Sequence, residues 1–383
     1  MPNPAHNRTR RPKRYHPDRL DSSAITPEMV HEWWAPRFGD ANPQRMNNPL
    51  WEWLVRTRID AHKARGRFGY PRPFDASRPG PAWCFERMGQ SVTRLPDGRA
   101  VMIAGEHEDS YDPDFQIYND VTVQHPDGTL DIYGYPGDVF PPTDFHTATL
   151  VDRRIIIIGN LGYKPSHEEQ ATQVFELDTV TWAMRRIVTA GPTPGWLHKH
   201  VAELSGDGKS IVISGGLVKP VSEKYEGCHE NPDQWALDLT TWEWQRLTQK
   251  PWENYALSVD SLTRLPLLQG LLPDPEVIRG LYHPPVPHEE IPDTQEYLEE
   301  AEEPFDKDGP FTWDEDDYSQ WGEDFRGTRI SVQGVVVRYK EEGSRLLVVV
   351  EGALPPETVS VIVSDITAKL ESLLQRPVQV QRL

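Results

Sequence analysis

The strongest constraint in this chain is an internal repeat. Three segments overlay: RMGQSVTRLPDGRAVMIAGE from Arg87, TDFHTATLVDRRIIIIGN from Thr143, and LHKHVAELSGDGKSIVISGG from Leu197. Each carries a polar residue at one shared position, Gln90, His146 or His200. A short alternating strand follows, then a tight polar turn, then an apolar run (AVMIA, IIIIG, IVISG) ending in glycine. The starts are 56 and 54 residues apart. After a variable loop, the second and third units close on VFELDTVTW and QWALDLTTW, which share Leu-Asp-x-x-Thr-Trp. The first unit has NDVTVQHPDGTLDIY instead, with a turn at Asp127–Gly128 and no Trp. An apolar run that loses its alternation reads as a strand buried on both faces. Glycine is expected where backbones crowd and the chain turns.

The order resembles the Kelch repeat, whose period is about 50 residues. In that family a His-bearing first strand leads to an apolar strand ending in Gly-Gly. A variable loop follows, then an outer strand with a Trp. The resemblance covers residues 83–252. It departs at Ala104–Gly105 and Gly159–Asn160, where only Gly215–Gly216 has the full pair. It implies a mainly β fold, a Kelch-like partial propeller. Three blades fall short of the four to eight of closed propellers. Flanking strands such as a hairpin at 329–350, pairing of two chains, or an open array are the alternatives. His146 and His200, at equivalent positions, read as scaffold.

Around this segment the chain changes character. Residues 1–24 are polar and basic and read as a disordered tail. Residues 25–82 read as helical. Thr26 and Pro27 start one helix, and NPLWEWLVRTRIDAHKARGRF carries a helical apolar stripe. Residues 253–326 read as a Pro-rich and acidic linker. Positions 289–324 hold sixteen Asp and Glu against Lys307 alone. Trp313 and Trp321 within that tract are candidate docking aromatics. Residues 327–383 read as a small ββαβ unit.

Charge and cysteine usage narrow the function. The net charge of −19 excludes nucleic acid as a partner of the whole chain and favours a basic protein. No apolar stretch is long enough for a membrane span, and the first residues lack the apolar core of a signal peptide. The expected compartment is the cytoplasm. Cys84 and Cys228 form no metal or disulfide pattern and read as buried thiols. There is no GxSxG, Walker A or HExxH motif.

The expected function is therefore protein recognition through loops 106–118, 162–172 and 218–233, with no resident cofactor. The partner would be basic, as for an antitoxin-like protein or an assembly subunit, and the ring geometry allows a homo-oligomer. Tyr111, Asp114, Trp196, His198 and Tyr225 are candidate binding residues beside Trp313 and Trp321. The alternative is a metal-dependent lyase or hydrolase built on GEHEDSYDPDFQIYND, with Glu106, His107, Glu108, Asp109 and Asp112 near His198 or His146. Carboxylates with a His suit a divalent cation. Glu108 and Asp112 fit the four-residue spacing of iron ligands in some Kelch-fold lyases; the third position is Gln116. The candidate metal ligands are Glu108, Asp112 and His107.

Overall fold

The computed structural model describes residues 15–68, 81–109, 112–163, 171–219, 228–259, 280–291, 327–342 and 345–383. The protein is mainly β, built from small antiparallel sheets with few helices. It divides into two compact units, the division falling between Thr248 and Gln249 among the described residues. No described helix is long and apolar enough to cross a membrane.

The first unit opens with three short helices. Thr26 caps α1 (Pro27–Trp33), its hydroxyl accepting from Met29 N, and Pro27 supplies the preset φ of a first helical residue. Asn48 does the same for α2 (Pro49–Thr57) at Trp51 N, 2.9 Å. The long helix expected here is two. Arg58 turns left-handed at φ 50, and Asp60 restarts the chain by accepting from Lys63 N, which opens α3 (Ala61–Phe68). Trp51 is fully buried and stacks on Trp83 with ring centroids 4.4 Å apart. Together with Trp34, Leu50 and Leu54 it packs against Ala100, Met102, Leu130 and Ile132 of the first sheet.

Three sheets follow, matching the three repeats. The first runs, edge to edge, Gln44–Arg45, Leu130–Gly134, Val121–Gln124, Ala100–Ile103, Ser91–Arg94. The second runs Met184–Arg186, Val174–Asp178, Arg154–Ile158, Thr147–Val151. The third runs Trp244–Arg246, Trp235–Asp238, Ser210–Ser214, Val201–Leu204. None is closed on itself. Their first strands, Ser91–Arg94, Thr147–Val151 and Val201–Leu204, are successive neighbours.

The four isoleucines of the second repeat show why alternation is lost. Ile155 and Ile157 enter the core shared with the first sheet, and Ile156 and Ile158 enter the core shared with the third. In the apolar strand of the third sheet Ile211 and Ile213 are buried while Val212 is half-buried, so Ser-Ile-Val-Ile-Ser alternates as a one-sided strand should. Helices pack against the first sheet, at one end of the array.

A hydrogen-bonded staircase sets the sheets beside one another. Gly89, Phe145 and Lys199 all have positive φ (63, 48 and 55), and Phe145 N donates to Gly89 O while Lys199 N donates to Phe145 O. One residue on, His146 Nε2 meets Ser91 Oγ at 2.8 Å and His200 Nε2 meets Thr147 Oγ1 at 2.9 Å. Each histidine thus bonds the preceding unit's hydroxyl. The series has written ends. The first unit, with no predecessor, carries Gln90, and the third carries Val201, 44% exposed, where a hydroxyl stood before.

The shared Leu-Asp-x-x-Thr-Trp is a turn. Asp178 Oδ1 accepts from Val180 N and Thr181 N, and Asp238 Oδ1 accepts from Thr240 N and Thr241 N. Trp182 and Trp242 then sit left-handed, at φ 62 and 58. Trp182 stacks on Tyr133 of the first sheet, centroids 5.6 Å apart. The first sheet packs on the second on one face and on helices on the other, so it has no preceding sheet for such a Trp to stack on.

The glycines after the apolar runs can be tested in contrast. A Cβ on Gly159 (φ +81) would lie 2.5 Å from Leu197 O and 2.7 Å from His200 Cε1. Gly215 (φ +63) has nothing within 4 Å. Gly159→Ala is expected to cost about 3 kcal/mol or more, since neither neighbour is free to yield. Gly215→Ala should cost only the left-handed backbone, about 1–2 kcal/mol. Urea denaturation of both variants checks the difference.

The second unit holds a six-stranded antiparallel sheet in the order Glu289–Glu290, Gly327–Val332, Val335–Glu342, Arg345–Val350, Glu253–Ser258, Gln379–Arg382. Helix α4 (Pro356–Leu374) packs Val359, Ile362, Ile366 and Leu370 against Val337, Val348, Val350 and Leu257. Two expectations change here. GTRISVQGVVVRYK is two strands, because Gln333 and Gly334 (φ 52 and 81) form a tight turn of the kind that suits hairpins. The ββαβ reading therefore becomes three strands, a helix and a strand. Glu253–Ser258, expected as linker, is an interior strand paired with both Arg345–Val350 and Gln379–Arg382.

Candidate functional site: the loop end of the first unit

In each repeat the first strand begins, and the apolar strand finishes, at the same end of its sheet. The residue two before the Gln/His position stands there: Met88, Asp144 and His198. Each pairs with the residue just past the glycines. Met88 bridges Glu106, Leu161 N donates to Asp144 O, and His198 pairs with Leu217. A conserved scaffold position thus presents three different chemistries.

Asp144 is fully buried. Its Oδ1 accepts from Gly162 N at 2.7 Å, and Asp144 N donates to Asn160 Oδ1 at 3.0 Å. Oδ2 has no donor among the described residues. The Glu106 side chain is its neighbour, itself only 8% exposed. Burial pushes the Asp144 carboxyl above the usual range, against the lowering by its hydrogen bonds. Tyr163 completes the group. Its hydroxyl accepts from Ile117 N at 2.8 Å, and burial, then the charges of Asp144 and Glu106, push it up. Phe115 meets the Tyr163 ring edge-to-face at 5.9 Å and is 42% exposed. The arrangement is a buried carboxyl pair beside an exposed aromatic rim.

The sign of the Asp144 shift gives a test. A carboxyl whose folded pKa is raised weakens the fold as pH rises from about 4 through that raised value. Asp144→Asn should match the parent near pH 4 and be more stable at pH 7, by chemical denaturation at both.

The other candidate residues are placed as follows. His107 is buried, and its Nδ1 meets Glu86 O at 3.1 Å. Glu108, Asp109, Asp112 and Asp114 lie on the hairpin Glu106–Asp109 and Asp112–Ile117, but their side chains are outside the described residues, as are Tyr111, Tyr225, Trp313 and Trp321. Among the described residues no three His, Cys, Asp or Glu converge as metal ligands. Trp196 is buried, its Nε1 donating to Leu161 O at 3.0 Å. It anchors the third unit to the second and does not face solvent. His198 is buried, and its Nε2 stands 3.4 Å from Cys228 Sγ. Cys84 is buried as expected of a core thiol, but Cys228 is half-buried with an imidazole against it. Asp144, Tyr163 and the pairing of Cys228 were not singled out from the sequence. Asp144 could have been, because overlaying the repeats shows one position switching among Met, Asp and His. No protein-family model matches this chain, and no curated protein matches it.

Proposed function

We propose that the chain is a protein-recognition module, a Kelch-like partial propeller whose loop end takes a cationic side chain of a basic partner between its first and second repeats. The observation that carries this reading is the buried Glu106–Asp144 carboxyl pair beside Phe115 and Tyr163. A guanidinium or ammonium entering there supplies the donor that Asp144 Oδ2 lacks among the described residues, and the pair accepts charge-assisted hydrogen bonds from it. Ring faces at the rim favour the same charge. The net charge of −19 draws a basic partner in and speeds the encounter.

Any polycation is attracted to so acidic a chain, so the test is a difference between variants. A hexa-arginine peptide titrated calorimetrically at physiological salt should bind Glu106→Gln and Phe115→Ala at least tenfold more weakly than the parent. Binding should also tighten as pH rises, because the Asp144 carboxyl, held above its usual range, ionises. Equal affinities for all three proteins would remove the basis of the reading.

A further inference from the structure

A second chemistry, independent of the carboxyl pair, lies at the loop end of the third repeat. Three short strands form a sheet there in the order Trp196–His198, Leu217–Lys219, His229–Glu230. Its register sets His198 opposite Leu217 and Leu217 opposite Glu230, with Trp196 opposite Lys219. Directly paired residues share a face. Cys228 continues the edge strand by one residue, so by alternation it falls on the face of His198, Glu230 and Lys219. Diagonally across that face, His198 Nε2 and Cys228 Sγ are 3.4 Å apart although thirty positions separate them in sequence. The histidine is 2% exposed and held in its strand, whereas the cysteine is half-buried. A fixed imidazole beside a half-buried thiol is the arrangement that makes a thiolate at neutral pH.

We propose that Cys228 is a nucleophilic thiol with His198 as its proton acceptor, and that it is a site of modification by low-molecular-weight disulfides. His198 Nε2 takes the thiol proton. The Cys228 sulfur attacks one sulfur of the disulfide, whose S–S bond breaks as the new one forms. The departing thiolate takes the proton back from the imidazolium. One disulfide is exchanged for another, and no further oxidant is consumed. Cys84 is 1% exposed, so it is no ready second thiol to resolve the adduct. The charged or titratable groups sharing the face are Lys219 and Glu230, with His229 next in the chain. His198 is the group in contact.

The experiment is the rate of mixed-disulfide formation with oxidised glutathione on the full chain, read by intact mass and peptide mapping across pH 5.5–9.5. The parent should react at Cys228 alone, with a rate that levels off well below the ordinary thiol midpoint of about 8.5. His198→Gln should move that midpoint back to about 8.5 and slow the reaction at least tenfold at pH 6. Cys228→Ser should give no adduct. A parent profile centred near 8.5, or one that His198→Gln leaves unchanged, overturns the proposal. Should His198→Gln fold poorly, the parent profile alone decides.

Discussion

Arg87→Met is expected to cost about 3–5 kcal/mol of folding stability, because it leaves a carboxylate buried without its counter-charge. Arg87 and Asp120 are 1% and 5% exposed. The guanidinium makes four hydrogen bonds. Nε donates to Cys84 O, one terminal nitrogen to Ala104 O and Asp120, and the other to Asp120 Oδ2 at 2.9 Å. Trp83 Nε1 donates to the same carboxylate at 2.7 Å, and the Tyr118 ring lies 3.6 Å from the guanidinium carbon. This network ties the approach to the first repeat to its apolar strand and to the strand that follows. Removing one partner strands the other; removing both does not. Arg87→Met combined with Asp120→Leu should therefore recover much of the loss. Urea denaturation of the single and double variants measures it, and a cost below about 1 kcal/mol for Arg87→Met would contradict the account.

Acid should unfold the protein steeply, through the staircase histidines. Burial holds His146 and His200 each down to about 3. Unfolded histidine titrates near 6.5. A folded pKa below the unfolded one leaves stability intact above about 6.5 and removes it as pH falls toward 3. Each ring loses about 1.4 kcal/mol per pH unit, so the pair accounts for about 5 kcal/mol near pH 4.5. The physical cause is visible: a charged ring must donate from both nitrogens, and Nδ1 of each is buried without an acceptor among the described residues. Asp144, with its raised pKa, works in the opposite direction and blunts the slope slightly. The first repeat shows the remedy, since Gln90 holds the same position and donates to Ala104 O. His146→Gln with His200→Gln should flatten the dependence of unfolding free energy on pH between 6.5 and 4. An unchanged slope would contradict the assignment.

How far the sequence could be read depended on where its partners lay. The apolar runs were legible because burial on both faces erases alternation, and Ile155 to Ile158 divide between two cores. The Leu-Asp-x-x-Thr-Trp string was legible as a shared string but read as the end of an outer strand; the strands stop at Asp178 and Asp238, whose carboxylates hold a turn before the Trp. The α2–α3 break was not read, although Asp60 is a capping residue, because the apolar stripe runs through it. Glu253–Ser258 reads as linker in isolation, since its partner strands lie far along the chain. The same distance hid Cys228, which meets His198 only through an intervening strand. Trp196 drew attention as a loop aromatic, but its indole is a buried tie between repeats. The ends of the array were written in single residues, Gln90 and Val201, whose meaning depends on hydrogen bonds across repeats.

The most direct test of the loop end as a recognition site is the amide proton of Gly162. It donates to Asp144 Oδ1 and so reports the charge of that carboxyl. An amide shift map recorded while hexa-arginine is added should show Gly162 and Ile117 moving first and together, with the strands Trp235–Asp238 and Trp244–Arg246 unmoved. Shifts confined to other surfaces, with Gly162 still at saturating peptide, would contradict the account.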